Sequence, residues 1–295
     1  MKRVLVLLAS LIAIALFAVA CGDDDDDGGA DDVSTRAAPT FAPGSTMDTS
    51  ARRGKITIGV KYDVPLMGQL DPISRKVDGL DVAIGKEIAK ELGLREEQIE
   101  FVEAVSANRI PFLKEDKADL IISTMTINAE RKLEIDFSRP YFLAGQSILV
   151  KRDNNSIRTV TDLNGKKVCS AAGSTSEKNV KEKAPGSELT TFPTYSACVS
   201  AMKDGRTDAV STDDIILAAF AAADKDLKLV GGQFTTEPYG IGVKKGKTDL
   251  VKFIDDLLAK MLSDGRWEKI YQKYLGEVPG IAPAAEARAK LPPTA

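Results

Sequence analysis

Strand-like and helix-like stretches alternate along most of this chain, and that alternation predicts an α/β fold of two lobes flanking a cleft. Short β-branched runs are separated by amphipathic stretches, as in Lys55 to Val60 followed by Gly79 to Leu92. The pattern then breaks near Phe142 to Val150, restarts near Thr161, and returns through Gln233 to Lys244. The length of 295 residues suits about two such units.

The elements follow in order. Lys55 to Val60 alternates as a first strand. In Gly79 to Leu92 the residues Leu80, Ala83, Ile84, Glu87, Ile88 and Leu92 recur at helical spacing, and Gly93 closes the helix. Ile99 to Val102 predicts a second strand, Ala107 to Glu115 a short helix, and Ala118 to Ser123 a third strand, with a continuous apolar run at Leu120 to Ile122 as buried parallel strands have. In the second half, Lys166 to Cys169 begins a strand, Thr175 to Lys183 a helix, and Leu189 to Phe192 a strand. Tyr195 to Asp204 reads as a helix, Ala209 to Ser211 as a strand, and Asp213 to Ala223 as an apolar helix. Asp249 to Ser263 and Arg266 to Leu275 complete the chain as a helix pair. The economical division is a discontinuous lobe 1 (55–145 and 238–277) and a lobe 2 (146–237), with parallel sheets and two crossings between the lobes. Small ligands favour a cleft of this kind, and hinge closure around them is a recurrent motion.

The termini have a different character. Met1-Lys2-Arg3 is a basic start, Val4 to Ala20 carries no charge, and small residues precede Cys21. This predicts a signal peptide over 1–20. The alternative is a membrane-spanning anchor, which needs about 17–25 apolar residues. From Cys21 to Gly54 the chain is rich in Asp, Gly, Ser, Thr, Ala and Pro and is expected to be a disordered tether. Its aspartate run lacks the ligand spacing of a calcium loop. Residues 278–295, rich in Pro and Ala, are expected to form a disordered tail.

Composition narrows the function. The net charge is −3, with 40 basic and 43 acidic residues. From Gly54 onward the two balance, which disfavours a nucleic-acid partner. There is no histidine. That removes Ser-His-Asp and Cys-His catalysis and the HExxH zinc site, though carboxylate, Lys or Tyr chemistry stays open. No metal or cofactor is expected. Cys169 and Cys198 fall in the second lobe, and in an exported protein they suggest a disulfide, the alternative being two buried thiols.

Longer motifs carry a family resemblance. Gly79-Leu80-Asp81-Val82-Ala83 with Glu87-Ile88-Ala89 resembles a signature of the family 3 extracellular solute-binding proteins. So do Ala118 to Ile127, Glu130-Arg131-Lys132, Asp136 to Phe142, Gly173-Ser174-Thr175, Gly205 to Val210 with Asp213, and Lys269-Ile270-Tyr271. The resemblance spans about 55–276 and is narrower towards actinobacterial glutamate- and glutamine-binding lipoproteins. It implies a type II periplasmic-binding-protein-like fold and a role as the amino-acid-capturing, monomeric subunit of an ABC importer, not an enzyme. The partners would be an amino acid and the permease. Cys21 would end a lipobox, imperfectly matched because Ala18 stands where Leu is usual, and its acyl chains would anchor the protein to the outer face of the cytoplasmic membrane.

An α-amino acid presents a carboxylate and an ammonium, so its site needs a bidentate cation and a separate anion. The resemblance gives Arg131 the carboxylate, and Thr124 and Thr126 contacts to both groups. Thr175, at a helix start, would add contacts from the second lobe. Asp213 is the candidate for the ammonium, with a helix cap as its other reading; Asp214 reads as the cap. Ser106-Ala107-Asn108-Arg109 resembles a segment of glutamate- and aspartate-binding proteins in which Ser and Arg reach the ligand's side-chain carboxylate, and Lys61 stands where those proteins can place another cation. Arg109 and Lys61 could instead be solvated, and Tyr195 could either cover the ligand or pack in the core. The expected ligand order is glutamate, aspartate, glutamine. The competing functions are a sensor lipoprotein and a dehydratase on the same fold.

Overall fold

Two five-stranded sheets organise residues 39–292, the part of the chain described by the computed structural model. The signal peptide, Cys21 and the tether as far as residue 38 lie outside the described residues. In the first sheet, Ile99–Glu103, Ile56–Val60 and Leu120–Ile121 run parallel, and Gly242–Lys244 and Ile135–Phe137 extend it antiparallel. In the second, Glu188–Phe192, Lys167–Ala171 and Ala209–Asp213 run parallel, and Gln146–Lys151 and Leu227–Val230 are antiparallel. The expectation of parallel sheets is corrected to mixed ones. The strand that runs against the others is Gly242–Lys244 in the first sheet, too short at three residues to show a hydrophobic period, and Gln146–Lys151 in the second, which falls in an expected crossing.

Burial explains the strand order. Ala209–Asp213, inside its sheet, is buried at every position, whereas Glu188, Thr190 and Thr191 on the edge strand Glu188–Phe192 are exposed. Helix Leu80–Glu91 sets Leu80, Ile84 and Ile88 into the first core. Its start requires glycine: Gly79 has φ +144°, and a Cβ there would lie 2.4 Å from the Met67 carbonyl. Between the sheets, Phe142–Ala144 pairs antiparallel with Glu237–Tyr239. Phe142 stacks on Tyr239 and Tyr271, and Trp267 Nε1 donates to Tyr141 O at 2.8 Å, so helix Arg266–Leu275 is pinned to this crossing.

Both terminal segments differ from expectation. Thr46–Arg53, inside the expected tether of 21–54, is a helix capped by Ser45 Oγ, which accepts from Asp48 N. Thr46 N and Oγ1 donate to Asp249 at 2.7 and 2.9 Å, and Phe41 meets Phe253 edge-on. The polar composition hid a cap and the apolar anchors Phe41 and Met47, enough to order a segment against an existing surface. In the expected tail, Ala284–Ala289 is a helix. Leu291 is buried, Tyr271 Oη donates to Ala282 O, and Arg288 pairs with Glu268.

Cys169, on strand Lys167–Ala171, is bonded to Cys198, on helix Tyr195–Lys203, with Cα atoms 5.4 Å apart. Closing a loop with a sequence separation of 29 contributes about 3 kcal/mol through the unfolded chain. Replacing both cysteines with serine should therefore lower the urea midpoint and raise the slope, since the unfolded chain without the cross-link exposes more surface, as measured by equilibrium unfolding.

Candidate ligand-binding cleft

The polar residues singled out in the sequence converge where the C-terminal ends of the two sheets face one another. Lys61 follows strand Ile56–Val60 and is 1% exposed. Its Nζ donates to Ser106 Oγ at 3.0 Å and sits 5.5 Å from the centre of the Tyr195 ring. Among the described residues it forms no ion pair. Burial, and then the charge of Arg109, pull its ammonium down to about 7. Tyr195 is buried as the first residue of helix Tyr195–Lys203, so it contributes a ring to the cleft as well as to the core.

Arg109 opens helix Arg109–Lys114 and is 2% exposed. Its Nε donates to Ser106 O, and its Nη1 donates to Ser123 O and Thr124 O at 3.0 and 3.1 Å. Nε and Nη1 of the guanidinium are therefore engaged in bracing the chain that carries Thr124. Burial and the nearby Arg131 charge both lower its pKa.

Thr124 adopts φ +44°, a left-handed conformation costly for a β-branched residue. Its N–H donates to Asp81 Oδ2 at 2.9 Å, and Tyr141 Oη donates to Asp81 Oδ1 at 2.7 Å. Asp81 is fully buried, and burial raises it to about 6 despite these bonds. It was not recognised from the sequence, although it shares the apolar face of helix Leu80–Glu91 with Ile84 and Ile88. A charge on such a stripe signals a buried partner.

Arg131 lies in helix Ala129–Glu134, whose cap Asn128 accepts from Arg131 N at 2.8 Å. Its Nη1 donates to Thr126 O at 2.8 Å, and its Nη2 reaches Gly173 O at 3.4 Å. Thr126 Oγ1 lies 3.4 Å from Thr175 Oγ1, at the start of helix Thr175–Lys183. Other contacts join the same two sides: Lys178 with Glu130 at 3.2 Å, and Ser196 N with Asp63 at 3.1 Å. Gly173, at φ +75°, packs so close that a Cβ would come within 2.8 Å of Ala107. The cleft is closed in this structure.

Asp213 ends strand Ala209–Asp213 and is 3% exposed. It occupies the cap position of helix Asp214–Ala223 without capping it. Tyr239 Oη donates to Oδ2 at 2.6 Å, while Oδ1 is buried with no hydrogen-bond partner. Burial, and then the Glu237 charge, raise this carboxyl to about 8. Asp214, expected to be the cap, lies inside the helix and accepts from Gly145 N and Gln233 Nε2.

Lys61, Ser106, Arg109, Thr124, Thr126, Arg131, Thr175 and Asp213 thus form one cluster. Guanidinium groups beside a carboxylate with an unused oxygen are the chemical complement of a zwitterion. Among the described residues there is no group of metal-ligating side chains, and no helix is long and apolar enough to cross a membrane. A pocket of about 340 Å³ opens beside Arg131, Gly173, Ser174 and Thr175. A larger one, about 790 Å³, lies between Phe142, Trp267, Gly231 and Ile281 and contains none of the clustered residues.

Comparison with known proteins identifies relatives along most of the chain. The chain is 42% identical over 281 residues to the ABC transporter glutamine-binding protein GlnH of Bacillus subtilis, covering 95% of this chain and 99% of that one. It is 36% identical to the glutamate-binding protein GluB of Corynebacterium glutamicum, covering 76% of this chain and 79% of that one. A solved ancestral arginine-binding protein bound to glutamine superposes with a TM-score of 0.72 at 41% identity, covering 76% of this chain and 99% of that one. Residues 56–277 match the model of the bacterial extracellular solute-binding proteins, family 3, and the chain belongs to that family.

Proposed function

We propose that this chain captures a free L-amino acid between lobe 1 (55–145 and 238–277) and lobe 2 (146–237) and delivers it to the permease of an ABC importer. The observation that carries the reading is the presence in one buried cluster of the Arg131 guanidinium, a group able to bind a carboxylate, and of Asp213 Oδ1, a buried acceptor without a partner. Thr124 and Thr126 hold the ligand's main-chain groups on lobe 1. Closure brings Thr175 and Asp213 onto it, and the closed form meets the permease. The relatives are named for binding and transport rather than catalysis, which supports a binding protein over an enzyme. The monomer is exported and held at the outer face of the cytoplasmic membrane by lipid on Cys21.

Glutamate is the favoured ligand, then aspartate and glutamine. Lys61 Nζ donates to Ser106 Oγ and faces the Tyr195 ring. Asp63, Asp81 and Glu103 are near enough to favour its charge, but none is in an ion pair with it among the described residues, and a ligand side-chain carboxylate would supply a direct counter-charge. Arg109 adds positive potential while bracing Thr124. Replacing Lys61 with Met should weaken glutamate binding by about 30-fold, about 2 kcal/mol, and leave glutamine within a few-fold. Titration calorimetry of both ligands reads this directly. Equal losses for the two would remove Lys61 from the side-chain subsite.

A further inference from the structure

Strand Glu237–Tyr239 sends two side chains towards the cleft, because residues two apart on a strand project to the same face. Tyr239 meets Asp213 there. Glu237, on the same face, is 4% exposed. Its Oε1 accepts from Asn179 Nδ2 at 3.0 Å, while its Oε2 is buried without a hydrogen-bond partner. Asn179 stands one turn after Thr175 on helix Thr175–Lys183 and so shares its face. The same amide also donates to Gln146 Oε1 at 2.8 Å. Through these contacts one carboxylate oxygen of Glu237 is held by lobe 2, and the other is left without a partner.

The charge of Glu237 is felt within the cluster. It is the second cause, after burial, of the raised Asp213 pKa, and it partly offsets the effect of burial on Arg131. Two buried carboxylates, each with an unused oxygen, repel one another unless a cation lies between them. Among the described residues neither forms an ion pair, and the nearby guanidinium groups of Arg109 and Arg131 donate to main-chain carbonyls. An ammonium has three donors and can serve both acids at once.

We propose that Glu237 is a second anchor for the α-ammonium of the captured amino acid, its Oε2 sharing that cation with Asp213 Oδ1. The inference rests on the amino-acid reading of the cleft and adds a selection for ligands with a primary α-ammonium. A ligand with hydroxyl in that place would bring no charge to the two carboxylates.

The test compares L-glutamate, or L-glutamine if the wild-type protein prefers it, with the 2-hydroxy acid of the same skeleton. Dissociation constants come from calorimetry, with displacement for the weaker ligand. Glu237→Gln keeps the shape and the Asn179 contact but removes the charge. It should weaken the amino acid by about 10-fold or more, leave the hydroxy acid unchanged or tighter, and so narrow the ratio between them by at least that factor. Glu237→Asp, with the charge kept and the reach shortened, should give a smaller loss confined to the amino acid. Equal losses for both ligands would make Glu237 a general support of closure and overturn the proposal, as would no change for either. If wild-type protein binds no amino acid, the underlying reading fails, a result distinct from a loss seen only in the variants.

Discussion

Arg131→Ala should weaken amino-acid binding by about 10³-fold, about 4 kcal/mol, because it removes a largely buried bidentate cation and leaves the ligand carboxylate unpaired in a closed cleft. Arg131→Lys should recover only part of this. Lysine restores a point charge but lacks the planar fork that spans Thr126 O and Gly173 O while facing a carboxylate. Calorimetric titration measures the loss, and circular dichroism of the empty variant checks that the fold survives. Affinity within about 10-fold of wild type for Arg131→Ala would place the carboxylate elsewhere.

Asp213→Asn should separate function from stability. The amide cannot neutralise an ammonium, so binding should fall by about 10²-fold or more. The empty protein should nevertheless become more stable, by about 1–3 kcal/mol, since a buried carboxylate with an unused oxygen beside a second acid is replaced by a neutral group. The pH dependence has a definite sign. Asp213 titrates at about 8 in the folded chain against an ordinary value of 3.8. Between these values the folded state holds more protons than the unfolded one, so the aspartate costs stability progressively as pH rises. The gain in Asp213→Asn should be absent below about pH 4 and complete above about pH 8. Thermal melts of ligand-free protein across that range would show it, and a gain independent of pH would assign it to something other than ionisation.

Much of the cleft was legible because its chemistry sits on motifs at strand ends. Asp213 ends a strand and Arg131 lies in the short helix that follows another, both within the motifs that carry the family resemblance. What Arg109 does was less legible: its type and position were readable, but its bonds to Ser106 O, Ser123 O and Thr124 O depend on how the chain turns back after Leu120–Ile121. Asp81 and Glu237 were missed for opposite reasons. Asp81 stands in the Gly79 to Ala83 signature, but its burial and its bond from Tyr141 depend on a residue 60 positions away. Glu237 sits in a three-residue strand with no period to place it. Residues 39–54 and 278–292 read as disorder because their composition is polar or Pro/Ala-rich. Their order comes from long-range contacts such as Thr46 with Asp249 and Arg139 with Pro292 O, which no local window contains.

The central claim is that the cluster around Arg131 and Asp213 binds the main-chain groups of a free amino acid. The most direct measurement is titration calorimetry of protein stripped of bound ligand, with glutamate, aspartate, glutamine, asparagine and glutarate, the last lacking the ammonium. The account predicts saturable one-to-one binding of glutamate in the micromolar range or tighter, weaker binding of the other amino acids, and no detectable binding of glutarate. Glutarate bound as tightly as glutamate, or no binding by any of the amino acids, would contradict it.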